Sequence, residues 1–134
     1  MINKELINPQ SIVIVGGSNN VHKPGGRLVR NLLDGKYKGE LYVVNAKETD
    51  VQGIKSYANV REIPDAELAI ISIPGHACPE VVEVLAKQKN VRAFIIISAG
   101  FGEETIEGGI LEDQILKIIN ESGASLIGPN CIGV

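Results

Sequence analysis

Short, unbroken apolar runs alternate with amphipathic stretches along this chain, and that alternation leaves few architectures open. Ser11 to Val15, Leu41 to Val44, Glu67 to Ile73, Val91 to Ser98 and Ser125 to Ile127 are rich in β-branched residues. They are apolar in successive positions, as strands covered on both faces of a parallel sheet are. Between them the apolar spacing turns helical: Leu28, Val29, Leu32 and Leu33 after Pro24, Val81, Val82, Leu85 and Ala86 within 76–89, and Leu111, Ile115, Ile118 and Ile119 within 108–122. Gly35 and Gly123 are placed to stop the first and last of these helices. Gln52 to Tyr57 reads as a short irregular or strand-like piece, and Val60 to Pro64 as a single helical turn. The repeated strand–helix–strand order predicts an α/β fold, a doubly wound, mostly parallel sheet of about five strands with helices on both faces. At 134 residues the chain reads as one domain over 1–134.

Such sheets bind ligands outside the carboxyl ends of their strands, and there the glycines and prolines collect. Gly16-Gly17-Ser18-Asn19 joins the first strand to the first helix. A buried strand, a glycine turn and a helix N-terminus make a phosphate cradle from backbone N–H groups. Gly16 and Gly17 permit the turn, and Ser18 and Asn19 add donors, although the full G-x-G-x-x-G pattern is absent. Gly25 and Gly26 suit close packing where the helix opens. The second strand ends in Asn45-Ala46-Lys47. An NAD site wants an acid there for the ribose hydroxyls. Amide, methyl and ammonium instead suit a nucleotide with an extra ribose phosphate, such as coenzyme A or NADP, with Lys47 acting as a point charge. Pro74, ending the third strand, offers a flat apolar wall for an adenine ring, and Ser98, Ala99 and Gly100 leave room for a ligand chain at the tip of the fourth.

No catalytic group stands out. His76 has no carboxylate near it in sequence and reads as a capping or surface residue, and Cys131 reads as a buried thiol. The two His and two Cys lack metal-ligand spacing. A net charge of −3 argues against general nucleic-acid binding. There is no CxxC, no signal-peptide h-region and no apolar run near the ~20 residues of a membrane span. The expectation is a cytoplasmic protein with no nucleic-acid or membrane partner.

Longer stretches carry a resemblance. Gly128-Pro129-Asn130-Cys131-Ile132-Gly133-Val134 resembles the Gly-Pro-Asn-Cys-x-Gly segment of the succinyl-CoA synthetase α-subunit, and still more that of the NDP-forming acyl-CoA synthetases, the ADP-forming acetate–CoA ligases. Asn8 to Gly16, Gly25-Gly26-Arg27, Asn31-Leu32-Leu33, Val43-Val44-Asn45, Ile73-Pro74 and Ser98-Ala99-Gly100-Phe101 agree with that family. The resemblance implies a CoA-binding, Rossmann-like domain. It implies CoA phosphates at Gly16 to Asn19, a nucleotide contact from Lys47, adenine near Pro74 and a CoA path along Ser98, Ala99 and Gly100. Two departures stand out. The family often has Asn-Pro-Lys where this chain has Asn45-Ala46-Lys47. Its phosphohistidine belongs to a domain after Gly-Pro-Asn-Cys, a position that neither His22 nor His76 occupies, and a nucleotide-grasping domain has no counterpart here. The implied role is therefore binding of CoA or acyl-CoA without a catalytic group of its own, beside the remaining synthetase domains or a second subunit. A homo-oligomer is compatible with that role. The alternative is an NAD(P)-binding oxidoreductase or a redox-sensing or regulatory domain, because the fold is shared.

Overall fold

Strand β1 (Ser11–Val15) is apolar at every position after the first, and only a place with cover on both faces removes all of that surface from water. In the computed structural model, which describes residues 8–97 and 106–128, β1 lies mid-sheet. It pairs in parallel with β2 (Glu40–Val44) on one side and β5 (Leu68–Ile71) on the other; Val13 stands opposite both Tyr42 and Ala69. A hairpin of β3 (Asp50–Val51) and β4 (Ile54–Tyr57) extends the β2 side, β4 parallel to β2 and β3 antiparallel to β4. Beyond β5 come β6 (Ala93–Ile96) and β7 (Ser125–Ile127), both parallel. The strand order is β3-β4-β2-β1-β5-β6-β7.

Side chains alternate across a strand, and β1 divides the core accordingly. Ile12 and Ile14 join Val43 and Ile70 beneath helix α1 (Pro24–Asp34), which contributes Val29, Leu28, Leu32 and Leu33. Val13 and Val15 join Ile71, Phe94 and Ile96 on the opposite face. There α2 (Cys78–Gln88) adds Val82 and Leu85, and α3 (Ile106–Ser122) adds Ile115, Ile118 and Ile119. Helices on both faces and a doubly wound, mostly parallel sheet are as expected.

Among the described residues the sheet has seven strands rather than about five. Of the two extra strands, β4 falls within the segment read as irregular or strand-like and β3 lies just before it. Gln52 and Gly53 both take positive φ, 51° and 88°, the pattern of a two-residue type I′ hairpin turn. Asn-Gly or Asp-Gly announces such a turn; Gln-Gly does not. Helix α2 is preceded by a short 3₁₀ turn at Gly75–Ala77, so the helix expected from His76 begins at Cys78. No helix among the described residues is long and apolar enough to cross a membrane.

The chain winds from β1 outward through β2 and β4, then returns to β5 and winds the other way. The order therefore reverses between β1 and β5, and the connections that leave their carboxyl ends run to opposite faces of the sheet there.

Candidate functional site

At that reversal Gly16 follows β1 directly. Its φ of +93° suits glycine, and its N–H donates to the Val44 carbonyl at 3.0 Å. Across the gap Ser72, following β5, donates its N–H to the Val15 carbonyl at 2.8 Å. Helix α1 is drawn against this strand end, because Gly25 packs on the Gly16 carbonyl where a Cβ would overlap it. Pro24 opens the helix, where its missing N–H costs no hydrogen bond. The N–H groups of the first turn have no carbonyl to pair with inside the helix.

The loop between strand and helix is closed on itself. The Ser18 hydroxyl accepts from the Asn20 N–H at 3.0 Å, the Asn20 side-chain carbonyl from the His22 N–H at 3.0 Å, and the Asn20 main-chain carbonyl from the Lys23 N–H at 3.1 Å. Asn19 faces the hairpin: its amide donates to the Asp50 carbonyl at 3.0 Å and its Oδ1 accepts from the Gln52 N–H at 2.7 Å. Both ends of that side chain are thereby engaged by protein.

Asn45 couples the tips of β1 and β2. Its Nδ2 donates to the Gly17 carbonyl at 2.9 Å, while Oδ1 accepts from the Lys47 and Glu48 N–H groups at 2.8 and 3.0 Å. This sets the turn that carries Lys47. An acid at position 45 keeps the acceptor and loses the donor. Asn45→Asp is expected to lose about 1–2 kcal/mol of stability, since a carboxylate then faces the half-buried Gly17 carbonyl. Urea unfolding at neutral pH checks this, and a variant as stable as the parent would contradict it.

Above these strand ends opens a cleft of about 380 Å³, lined by Val15, Gly16, Lys23, Val44, Asn45, Ala46, Lys47, Ala58 and Ile73. The structure brings Gly16 and Lys47 together here. Gly17 is buried behind them, and Ser18 and Asn19 continue the loop away from the cleft wall. Pro74 is exposed and caps the 3₁₀ turn, and its neighbour Ile73 lines the cleft. Ser98, Ala99 and Gly100 lie outside the described residues, as do Phe101 and Cys131. Sequence reasoning missed Lys23. Its signal was a cation immediately before Pro24-Gly25-Gly26, the N-cap of the helix that meets the strand end.

Elsewhere the chemistry is ordinary. A groove of about 500 Å³ between α2 and α3 is lined by Glu80, Glu83 and Glu121 with Lys87 and Lys117, a balance unsuited to a polyanion. Burial, reinforced by Glu67 and Glu40, pushes the Tyr37 hydroxyl above its usual pKa. That hydroxyl donates to the Pro9 carbonyl at 2.9 Å, at the opposite end of the strands. Cys78 is buried and both His22 and His76 are exposed. Among the described residues no group of His, Cys, Asp and Glu could hold a metal ion.

Comparison with known proteins matches residues 10–134 to a family model described as a CoA binding domain. The chain is 38% identical over 131 residues to the α subunit of acetate–CoA ligase (ADP-forming) II of Pyrococcus furiosus, covering 96% of this chain and 28% of that one. It is 36% identical over 132 residues to acetate–CoA ligase (ADP-forming) II of Archaeoglobus fulgidus, covering 98% and 20%. Among solved structures, the apo form of the dinucleotide forming acetyl-coenzyme A synthetase 1 of Ca. Korarchaeum cryptofilum superposes with a TM-score of 0.84 at 30% identity, covering 95% of this chain and 27% of that one. The chain thus spans less than a third of the length of each of these relatives.

Proposed function

This chain belongs to the CoA-binding domain family and corresponds to part of the NDP-forming acyl-CoA synthetases, and from that premise we propose that the cleft at the β1–β5 reversal holds the nucleotide half of coenzyme A. The observation that carries this reading is the pairing of two lysines, Lys23 from the head of α1 and Lys47 from the tip of β2, around a strand end where Asn45 replaces the acid of an NAD site. An adenosine carrying a 3′-phosphate and a 5′-diphosphate presents anions that two ammonium groups can meet. Gly16, Gly17, Ser18 and Asn19 take part through the course of their backbone, since the Asn19 amide is held by the hairpin. Lys47 contacts a phosphate, Ile73 and Pro74 flank the adenine, and Ser98, Ala99 and Gly100 border the path of the pantetheine arm.

In a whole synthetase this domain would present the CoA thiol to an acyl phosphate formed with the help of other domains or a second subunit. The isolated chain would bind without turnover, for among the described residues no acid or base pairs with the side chain of His22 or His76. Formation of acyl-CoA from acid, ATP and CoA by this chain alone would refute that division of labour.

Titration calorimetry with CoA, dephospho-CoA, NADP and NAD tests the ligand. CoA is expected to bind with a Kd of about 10 μM. Removing the 3′-phosphate is expected to weaken it about fivefold, the scale of one solvent-exposed charge contact. Tight NADP binding with none for CoA would overturn the assignment.

A further inference from the structure

The tip of the β3–β4 hairpin carries a residue with three features that the turn does not call for. Gln52 sits at positive φ without being glycine, asparagine or aspartate, which strains its backbone. Its Oε1 is buried and has no hydrogen-bond partner, a costly state for an amide oxygen. Its Nε2, in contrast, donates twice, to the Ser18 carbonyl at 2.8 Å and to the Gly26 carbonyl at 2.9 Å. Those two carbonyls belong to the glycine loop and to the first turn of α1, the elements that flank the head of the cleft. The Gln52 N–H binds the same loop through Asn19 Oδ1 at 2.7 Å.

A type I′ turn prefers Asn before Gly. Asn is one methylene shorter than Gln and its amide would stop short of Ser18 and Gly26. Glutamine here is thus the poorer turn residue and the better strut. We propose that Gln52 is a positioning residue: from an edge hairpin more than twenty residues away in sequence, it holds the glycine loop and the head of α1 at the separation needed by the phosphate-bearing ligand. The inference rests on the CoA reading for its ligand. Its structural half, a loop held by Gln52, stands by itself. Holding the loop before the ligand arrives removes an ordering cost from binding.

The test is Gln52→Asn, followed by three measurements: thermal midpoint, hydrogen exchange of the amides from Gly17 to Val21, and titration with CoA. A residue that serves only the turn predicts an Asn variant as stable as the parent or more so, with unchanged exchange and affinity. The positioning role predicts the same or a higher midpoint, exchange in the loop faster by about tenfold, and CoA binding weaker by about tenfold. Gln52→Met, which keeps the length and removes both donors, is expected to reproduce the weaker binding and the faster exchange. Unchanged CoA affinity in both variants would overturn the proposal. If the parent chain itself fails to bind CoA, the ligand assignment falls. Loop exchange then decides the strut alone: unchanged exchange in both variants refutes it, and faster exchange supports it.

Discussion

Gly16→Ala is expected to destabilise the fold by roughly 4 kcal/mol, through left-handed backbone strain and a forced overlap together, and to abolish ligand binding. The residue holds a φ of +93°, and a Cβ there would overlap the Ser72 carbonyl. Neither backbone has room to yield. Gly16 is tied to Val44, and Ser72 to Val15, by hydrogen bonds that continue the parallel ladders. Against a typical total stability of about 5–15 kcal/mol, such a loss leaves a marginal protein with a displaced strand end. Gly53 is the natural control. Its φ is also positive, at +88°, but nothing lies within 4 Å of the added Cβ, so Gly53→Ala carries only the backbone strain. Urea unfolding of the two variants beside the parent makes the comparison, and equal, small losses would show that the strand ends can part without cost.

Replacing both Lys23 and Lys47 with alanine is expected to weaken CoA about 25-fold and each single change about fivefold, taking each ammonium as one solvent-exposed phosphate contact. Both side chains line the cleft, and neither is ion-paired with a described residue, unlike Arg30 with Asp34, Arg61 with Glu80 and Lys87 with Glu83. Their charge is therefore free to meet a ligand. Their removal should leave stability unchanged, since exposed lysines contribute little. Added salt should weaken the parent more than the double variant, because screening acts on the contacts the variant lacks. Calorimetry at two ionic strengths reads both effects. A double variant that binds CoA as the parent does would move the phosphates elsewhere on the domain.

Much of this molecule is legible from neighbouring residues. Strands β1, β2, β5, β6 and β7 and the three helices follow from runs and periodicities only a few residues long, because burial on two faces or one is a local pattern. The place of the cleft follows too, since glycine and proline mark the strand ends. The departures from these readings share one cause. Val51 is fully buried, yet no run of apolar residues surrounds it, so the hairpin gains its burial from α1 and its neighbours rather than from its own pattern. Asn19 is read as a phosphate donor, and only the fold shows that the hairpin engages both ends of its side chain. Pro74 ends up as the cap of a 3₁₀ turn, and it is its neighbour Ile73 that lines the cleft.

By itself, the sequence determined the α/β class, the element order, the missing acid at the tip of β2 and the family resemblance, all carried by short segments. Tertiary structure alone decided which polar groups are already taken and which cations share the cleft. Asn45 meets Gly17 across 28 residues, and Gln52 meets Ser18 across 34. Such pairings exist only because the chain returns β2 and the hairpin to the same side of β1, and a hydrogen bond that depends on strand order leaves no trace in the spacing of adjacent residues.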